Sequence, residues 1–193
     1  MVEPFMPLLP PLAEGVGGAL MPVRGRLTSG YGVRMSRRSE RRRFHAGVDF
    51  EAKRGVPVRS VRGGIVEAVP RNRERGTGFG GYGNAVIVRH EDEGVWVLYA
   101  HLDSTNVRPG DEVAPGQVIG RAGRTSNRRF RSMAPHLHLE VRVATPEGAS
   151  PFPGSYRRYN VDPRCWFARH GLYYGSEGEP EAHPVPLPAR CRG

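Results

Sequence analysis

Five side chains in three short segments of this 193-residue chain could together do hydrolytic chemistry. His45 and Asp49 stand in F-H-A-G-V-D-F, His101 in L-Y-A-H-L, and His136 and His138 in P-H-L-H-L. Imidazole and carboxylate are what a catalytic zinc takes, about three of them with a fourth position left open. Such an ion polarises a carbonyl and brings the pKa of a water down to near 7. Four histidines and one aspartate are enough for three ligands and two further histidines that handle protons. Each segment alone is weak evidence, because strand histidines are commonly structural and H-x-x-x-D could be a turn bent at Gly47. No H-E-x-x-H is present, which excludes the helix-borne metalloprotease arrangement. Cys165 and Cys191 form no C-x-x-C pair, so a cysteine zinc site is not expected. His90, His170 and His183 lie at a strand end or in or beside the tail and are read as structural or surface groups.

The segments between these residues read as strands. Asn84 to His90 (N-A-V-I-V-R-H) and Gly94 to His101 (G-V-W-V-L-Y-A-H) are β-branched and aromatic, and Asp92-Glu93-Gly94 between them predicts a hairpin. Pro57 to Val69 holds two shorter runs broken at Gly63-Gly64. Pro109-Gly110-Asp111 and Pro115-Gly116 bracket another pair. With 26 Gly and 18 Pro, and no sustained helical periodicity between residues 22 and 145, the chain predicts a mainly β fold. Many short antiparallel strands imply an open sandwich or barrel-like sheet with few or no long helices.

His136 to Val143 (H-L-H-L-E-V-R-V) is the most informative run. Alternation puts Leu137, Leu139, Val141 and Val143 on one face, towards the core, and His136, His138, Glu140 and Arg142 on the other. The two histidines then point the same way, roughly 7 Å apart at Cα. One could bind a metal while the other stands beside it.

Three zones follow from composition: an extended Pro/Gly-rich segment over 1–21, a strand-rich domain over 22–169, and a Gly/Pro-rich tail over 170–193. The opening stretch lacks a basic start and is interrupted by prolines, so it is not read as an intact signal peptide. No segment is apolar enough to span a membrane as a helix. The net charge of +10 comes almost wholly from arginine, Lys53 being the only lysine. That excess fits a coding bias towards Arg and equally a surface suited to an anionic polymer.

Taken in order, H-x-G-V-D, G-Y-G-N-x-V-I-V-x-H, Y-A-H-L, G-D-x-V-x-x-G-Q-V-I-G, P-H-L-H-L-E-V and the closing V-D-P resemble the lysostaphin-type (LytM-like) zinc endopeptidases of peptidoglycan, over about residues 22–169. The resemblance implies a twisted antiparallel sheet with a groove across one face. It implies one zinc per chain held by His45, Asp49 and His138, with His101 and His136 as catalytic histidines. It puts Asn84 and Tyr31 along the substrate groove. The implied activity is hydrolysis of peptide cross-links, with D-alanyl–diaminopimelate bonds favoured because an Arg-lined groove suits stem peptides with free carboxylates. Implied partners are peptidoglycan stems and anionic wall polymer, and the implied setting is extracytoplasmic; a monomer is expected. Ser132-Met133-Ala134 and a long insertion over 145–160 depart from the usual pattern.

Three other readings compete. A family member that has lost its activity could bind and activate other wall hydrolases, but here all five metal and catalytic positions are filled. A lipoyl-type carrier domain would share P-G-D-E-V-A-P-G-Q-V-I-G, but its acceptor lysine is missing, since Lys53 lies far from that framework. A nucleic-acid binder would use the Arg clusters at 37–43, 71–75 and 128–131, but these lack interleaved aromatics or a known motif, so no specific nucleic acid is expected. The clusters at 37–43 and 128–131 just precede His45 and His136 and are expected at the groove rim. A disulfide between Cys165 and Cys191 is expected, since an extracytoplasmic enzyme permits one.

Overall fold

The structure is a computed structural model and describes residues 18–35, 42–71, 79–126, 133–144, 152, 159–174, 180–181 and 191. The strands are β1 (Leu27–Ser29), β2 (Gly32–Met35), β3 (Arg42–His45), β4 (Val48–Glu51), β5 (Pro57–Arg59), β6 (Gly64–Ala68), β7 (Asn84–His90), β8 (Val95–Thr105), β9 (Glu112–Val113), β10 (Val118–Ala122), β11 (His136–Val143), β12 (Asn160–Val161), β13 (Tyr173–Tyr174) and β14 (Pro180–Glu181). The main sheet runs β1-β4-β11-β8-β7-β6-β9, with β10 joining β5 to the far end of β8 and β12 flanking β11. Its pairings are antiparallel. The fold class is therefore the mainly β antiparallel sheet that the sequence predicts. Pro163–Arg169 forms an α-helix, α1.

The β7–β8 hairpin turns through a short 3-10 stretch at Glu91–Glu93, and Gly94 adopts a left-handed φ of 59° that costs a side-chain-free residue little. The two halves of Pro57–Val69 do not pair with each other. β5 pairs with β10, and β6 lies between β7 and β9.

The central strands are buried on both faces, which is why β7 and β8 read as nearly continuous apolar runs. One face carries Val86, Val88, Val97, Tyr99, Leu137, Leu139 and Val141 against Phe50, Trp166 and Phe167. The opposite face carries Ala85, Ile87, Trp96, Leu98 and Ala100 with Phe79 and Phe152. Packing reaches back to Ala19 and Met21 and on to Leu172, all buried in the first layer. The closing V-D-P is a helix start. Val161 ends β12, the Asp162 carboxylate accepts from the Arg164 amide at 3.0 Å as N-cap, and Pro163 occupies the first turn. Cys165 on α1 is bonded to Cys191, as expected from the sequence.

Candidate metal centre

β3 and β4 carry His45 and Asp49, and the tight connection between them depends on Gly47, where a Cβ would stand 2.1 Å from the Leu139 carbonyl. β11 then lies directly against β4, with His138 opposite Asp49 in register. This register brings together three atoms from distant parts of the chain. His138 Nδ1 is 2.8 Å from Asp49 Oδ1, and His45 Nε2 is 3.1 Å from each of them.

The outer nitrogens decide what those atoms are. His45 Nδ1 lies 2.8 Å from the Gly30 carbonyl, which can only accept, so Nδ1 carries the proton and Nε2 keeps its lone pair. His138 Nε2 lies 3.1 Å from Glu140 Oε1, a carboxylate, so the same logic leaves Nδ1 as the inward lone pair. Two bare nitrogens and a carboxylate oxygen thus face one another, which is favourable only with a cation between them. Atoms about 2.0–2.1 Å from a tetrahedral zinc stand about 3.3 Å apart, so the donor set and its spacing fit that ion. His45, Asp49 and His138 form a cluster able to hold a metal. The other His/Cys/Asp/Glu cluster among the described residues, Asp162 with Cys165 and Cys191, has its two sulfurs consumed in the disulfide.

Electrostatics follow the same geometry. A proton competes with a cation for the same place: burial alone would raise the Asp49 carboxyl, yet its contacts with His138 and His45 hold it well below the usual carboxylate range. Burial would lower His138, but the carboxylates of Asp49 and Glu140 push it up to about 9, so its Nδ1 offers a lone pair once a metal displaces the proton held there. Among the described residues no carboxylate is bonded to His101. Burial, with like charge at His138 and His136, takes it down to about 3.

Strict alternation along β8 would turn His101 away from His136 and His138, because Tyr99 faces the first apolar layer and Ala100 the second. The chain avoids this with a bulge. From Tyr99 to Leu102 β8 advances three residues while β7 advances two, from Val86 to Asn84. His101 takes a φ of 62° and is the non-glycine residue with positive φ among those described. Such a conformation is sparsely populated and re-aims the side chain. The His101 ring then sits 4.7 Å from that of His136 and 5.7 Å from that of His138, centre to centre. His101 Nδ1 donates to the Thr125 carbonyl at 2.9 Å, and His136 Nδ1 to the Ala134 carbonyl at 2.9 Å. Each therefore keeps Nε2 as its lone pair, and His136 Nε2 stands 3.8 Å from Asp49 Oδ1. Gly83 makes the Thr125 contact possible, with φ +69° and a would-be Cβ only 2.2 Å from the Thr125 oxygen.

The two residues expected along the groove are placed differently from each other. Tyr31 packs edge-on against Phe44 at 5.2 Å and borders a cleft of about 280 Å³ with Asn160, Asp162 and Arg169. The Asn84 amide donates to the Leu102 and Asp103 carbonyls at 3.2 and 3.4 Å, tying down the strand beside His101. The rim clusters at 37–43 and 128–131 lie mostly outside the described residues.

The layer behind His138 was not read from the sequence. Glu140 is 1% exposed, and its carboxylate takes bonds from His138, from Tyr82 Oη at 2.9 Å, from Arg142 Nη2 at 2.7 Å and from Asn160 Nδ2 at 3.2 Å. Arg142 is equally buried, with its guanidinium 3.9 Å above the Phe152 ring. The alternation in H-L-H-L-E-V-R-V did place both on the histidine face. Their burial depends on Tyr82, Phe152 and Asn160, far away in the chain.

The sequence matches the profile of peptidase family M23 over residues 43–151, which span the five histidine and aspartate positions. The chain belongs to peptidase family M23. Among M23 relatives, the DD-carboxypeptidase/endopeptidase Mpg of Neisseria meningitidis serogroup B is 41% identical over 118 residues, covering 61% of this chain and 24% of that protein. The chain spans about a quarter or less of the length of the curated relatives it matches. Among solved structures, lysostaphin from Staphylococcus simulans superposes with a TM-score of 0.58 at 28% identity, over 84% of this chain and 56% of that one. A zinc containing peptidase from Vibrio cholerae gives 0.53 at 30% identity, over 67% and 37%.

Proposed function

We propose that this M23 chain is a zinc-dependent endopeptidase acting outside the cytoplasm on the peptide cross-links of peptidoglycan, with D-alanyl–diaminopimelate bonds as its targets. The observation that carries this reading is the triangle of inward lone pairs on His45 Nε2, Asp49 Oδ1 and His138 Nδ1, with sides of 2.8 to 3.1 Å. These three residues hold one zinc. The ion, when bound, supplies a Lewis acid for the scissile carbonyl and a nucleophile at neutral pH. His101 and His136 present Nε2 from the same side of the sheet. Each can accept a proton at that atom and return it to the leaving amine, because its Nδ1 is committed to a backbone carbonyl. Protonated, either can hydrogen-bond a developing oxyanion. Tyr31 lines the approach for substrate from the cleft it borders, and Asn84 lines it beside His101.

The names of the Neisseria, Staphylococcus and Vibrio relatives support the reaction class and the metal. The arginine excess supports an acidic peptide substrate. Digestion of purified wall sacculi, with mass analysis of the released fragments, tests both. Muropeptide dimers should fall to monomers in a chelator-sensitive reaction that zinc restores. Release of glycan fragments instead, or undiminished cleavage after metal removal, would refute the proposal.

A further inference from the structure

β2 and β3 form a two-stranded hairpin that ends in His45. Its register pairs Gly32 with His45 and Arg34 with Arg43, so both arginines stand on the His45 face. Arg34 leans inward, with Nη1 3.7 Å from Asp49 Oδ2 and bonded to Ser29 Oγ. Its side chain remains 51% exposed, and its Nε and Nη2 donors carry no partner among the described residues. Arg43 is exposed, and among the described residues it has no carboxylate in salt-bridge reach. Like charges directly opposite across a strand pair are destabilising. Two arginines paired across the hairpin, with Asp49 Oδ2 at 3.7 Å from Arg34 as the carboxylate near them among the described residues, form an arrangement that an added anion would relieve.

We propose that Arg34 and Arg43, on the hairpin wall of the metal centre, form a subsite for a substrate carboxylate close to the bond that is cut. This rests on the endopeptidase reading and narrows its substrate to peptides with a free carboxyl group beside the scissile bond. The geometry sets the range. Arg34 reaches the candidate ligand Asp49, and Arg43 lies about 7 Å along β3 from His45, the length of two extended residues. A peptide lying along the groove therefore brings a carboxylate one or two residues from its scissile bond between the two guanidiniums. The Nε/Nη2 edge of an arginine matches a carboxylate bidentately, which gives recognition by shape as well as charge. Diaminopimelate bears such a carboxylate; a glycine bridge does not.

The test uses two synthetic cross-linked stem peptides that are identical except next to the scissile bond, where one has a free carboxylate and the other a carboxamide. The zinc-loaded protein should cleave the acid with a kcat/KM about tenfold or more above the amide, mostly through KM, as expected for a charge-assisted contact made equally in ground and transition states. In Arg43→Gln the acid-to-amide ratio should fall towards one, and Arg43→Lys should recover part of it. Arg34→Lys, which keeps a charge near Asp49, should also lower the ratio. Equal cleavage of acid and amide by the unaltered protein would overturn the subsite while leaving the endopeptidase reading in place. So would a preference that survives both Arg43→Gln and Arg34→Lys. Cleavage of neither peptide by zinc-loaded protein would overturn the endopeptidase reading itself, and the subsite with it.

Discussion

His136 and His138 share a strand and a face, yet their surroundings differ, and the proposed function gives them different work. His138 has one nitrogen on Asp49 and the other on Glu140, whereas His136 has Nδ1 on the Ala134 carbonyl and Nε2 3.8 Å from Asp49 Oδ1, beyond hydrogen-bond distance. His138→Ala should therefore lose zinc, and stability with it, because metal-binding energy is folding energy. His136→Ala should keep zinc and fold while turnover drops by about 10²–10⁴-fold, and His101→Ala should behave alike. Zinc stoichiometry on the purified variants checks this, and a metal-free His136→Ala beside a zinc-bearing Asp49→Ala would reverse the assignment. Glu140 allows a finer experiment. A glutamine there has one accepting and one donating end, but His138 and Arg142 both need an acceptor. If the amide donates to His138 Nε2, the ring's proton is driven to Nδ1, the atom that faces the metal. Glu140→Gln should weaken zinc by about 10–100-fold in a chelator competition. A purely structural role would lower the melting temperature and leave zinc affinity unchanged.

At the scale of elements, much was legible because its causes are local. β11 begins and ends where H-L-H-L-E-V-R-V does, and the β7–β8 hairpin turns where Asp92-Glu93-Gly94 breaks the apolar run. The V-D-P cap of α1 was visible as a motif, though not as a helix start. Two features were out of reach. The bulge at His101 is carried by a histidine rather than a glycine, so nothing in the residue type announces the turned backbone. The second cover over β11 depends on Phe152, from an insertion that had looked merely long. The Cys165–Cys191 bond fixes α1 to the segment at 191, across a sequence separation of 26. Replacing both cysteines by serine should cost roughly 3.5 kcal/mol by loop entropy, seen as a lower melting temperature. Thiol titration of the denatured, unreduced protein should find no reactive thiol.

For the molecule as a whole, acidity and salt act on different parts. His90 is fully buried beside Trp166, with Nδ1 on the Gly63 carbonyl, and burial pulls its pKa down from 6.5 to about 4. The folded state therefore resists a proton that the unfolded chain accepts. The sign is fixed: the His90 contribution to stability is full above about pH 6.5 and is lost as pH drops towards 4, by up to about 3 kcal/mol. Urea midpoints should fall across that window, and His90→Gln should flatten the slope relative to the unaltered protein. Salt bears on the arginine surface instead. Binding to sacculi should weaken as salt rises from low to moderate levels, since exposed charges are screened over about 10 Å at 0.1 M. Binding that stays flat would assign the arginine excess to coding bias.

Asp49 and His138 are 89 residues apart in the chain, and His45 and His138 are 93 apart. No local stretch can pre-assemble this site, and no fragment short of the closed sheet contains it. Zinc that bridges the three residues would act as a clasp on a very long loop, admitted only once β4 has found β11. Uptake of the ion should then lag behind collapse and coincide with the last cooperative step of refolding. An unfolded chain does not hold this triangle of side chains at all, so the candidate site exists only after the long-range closure of the sheet.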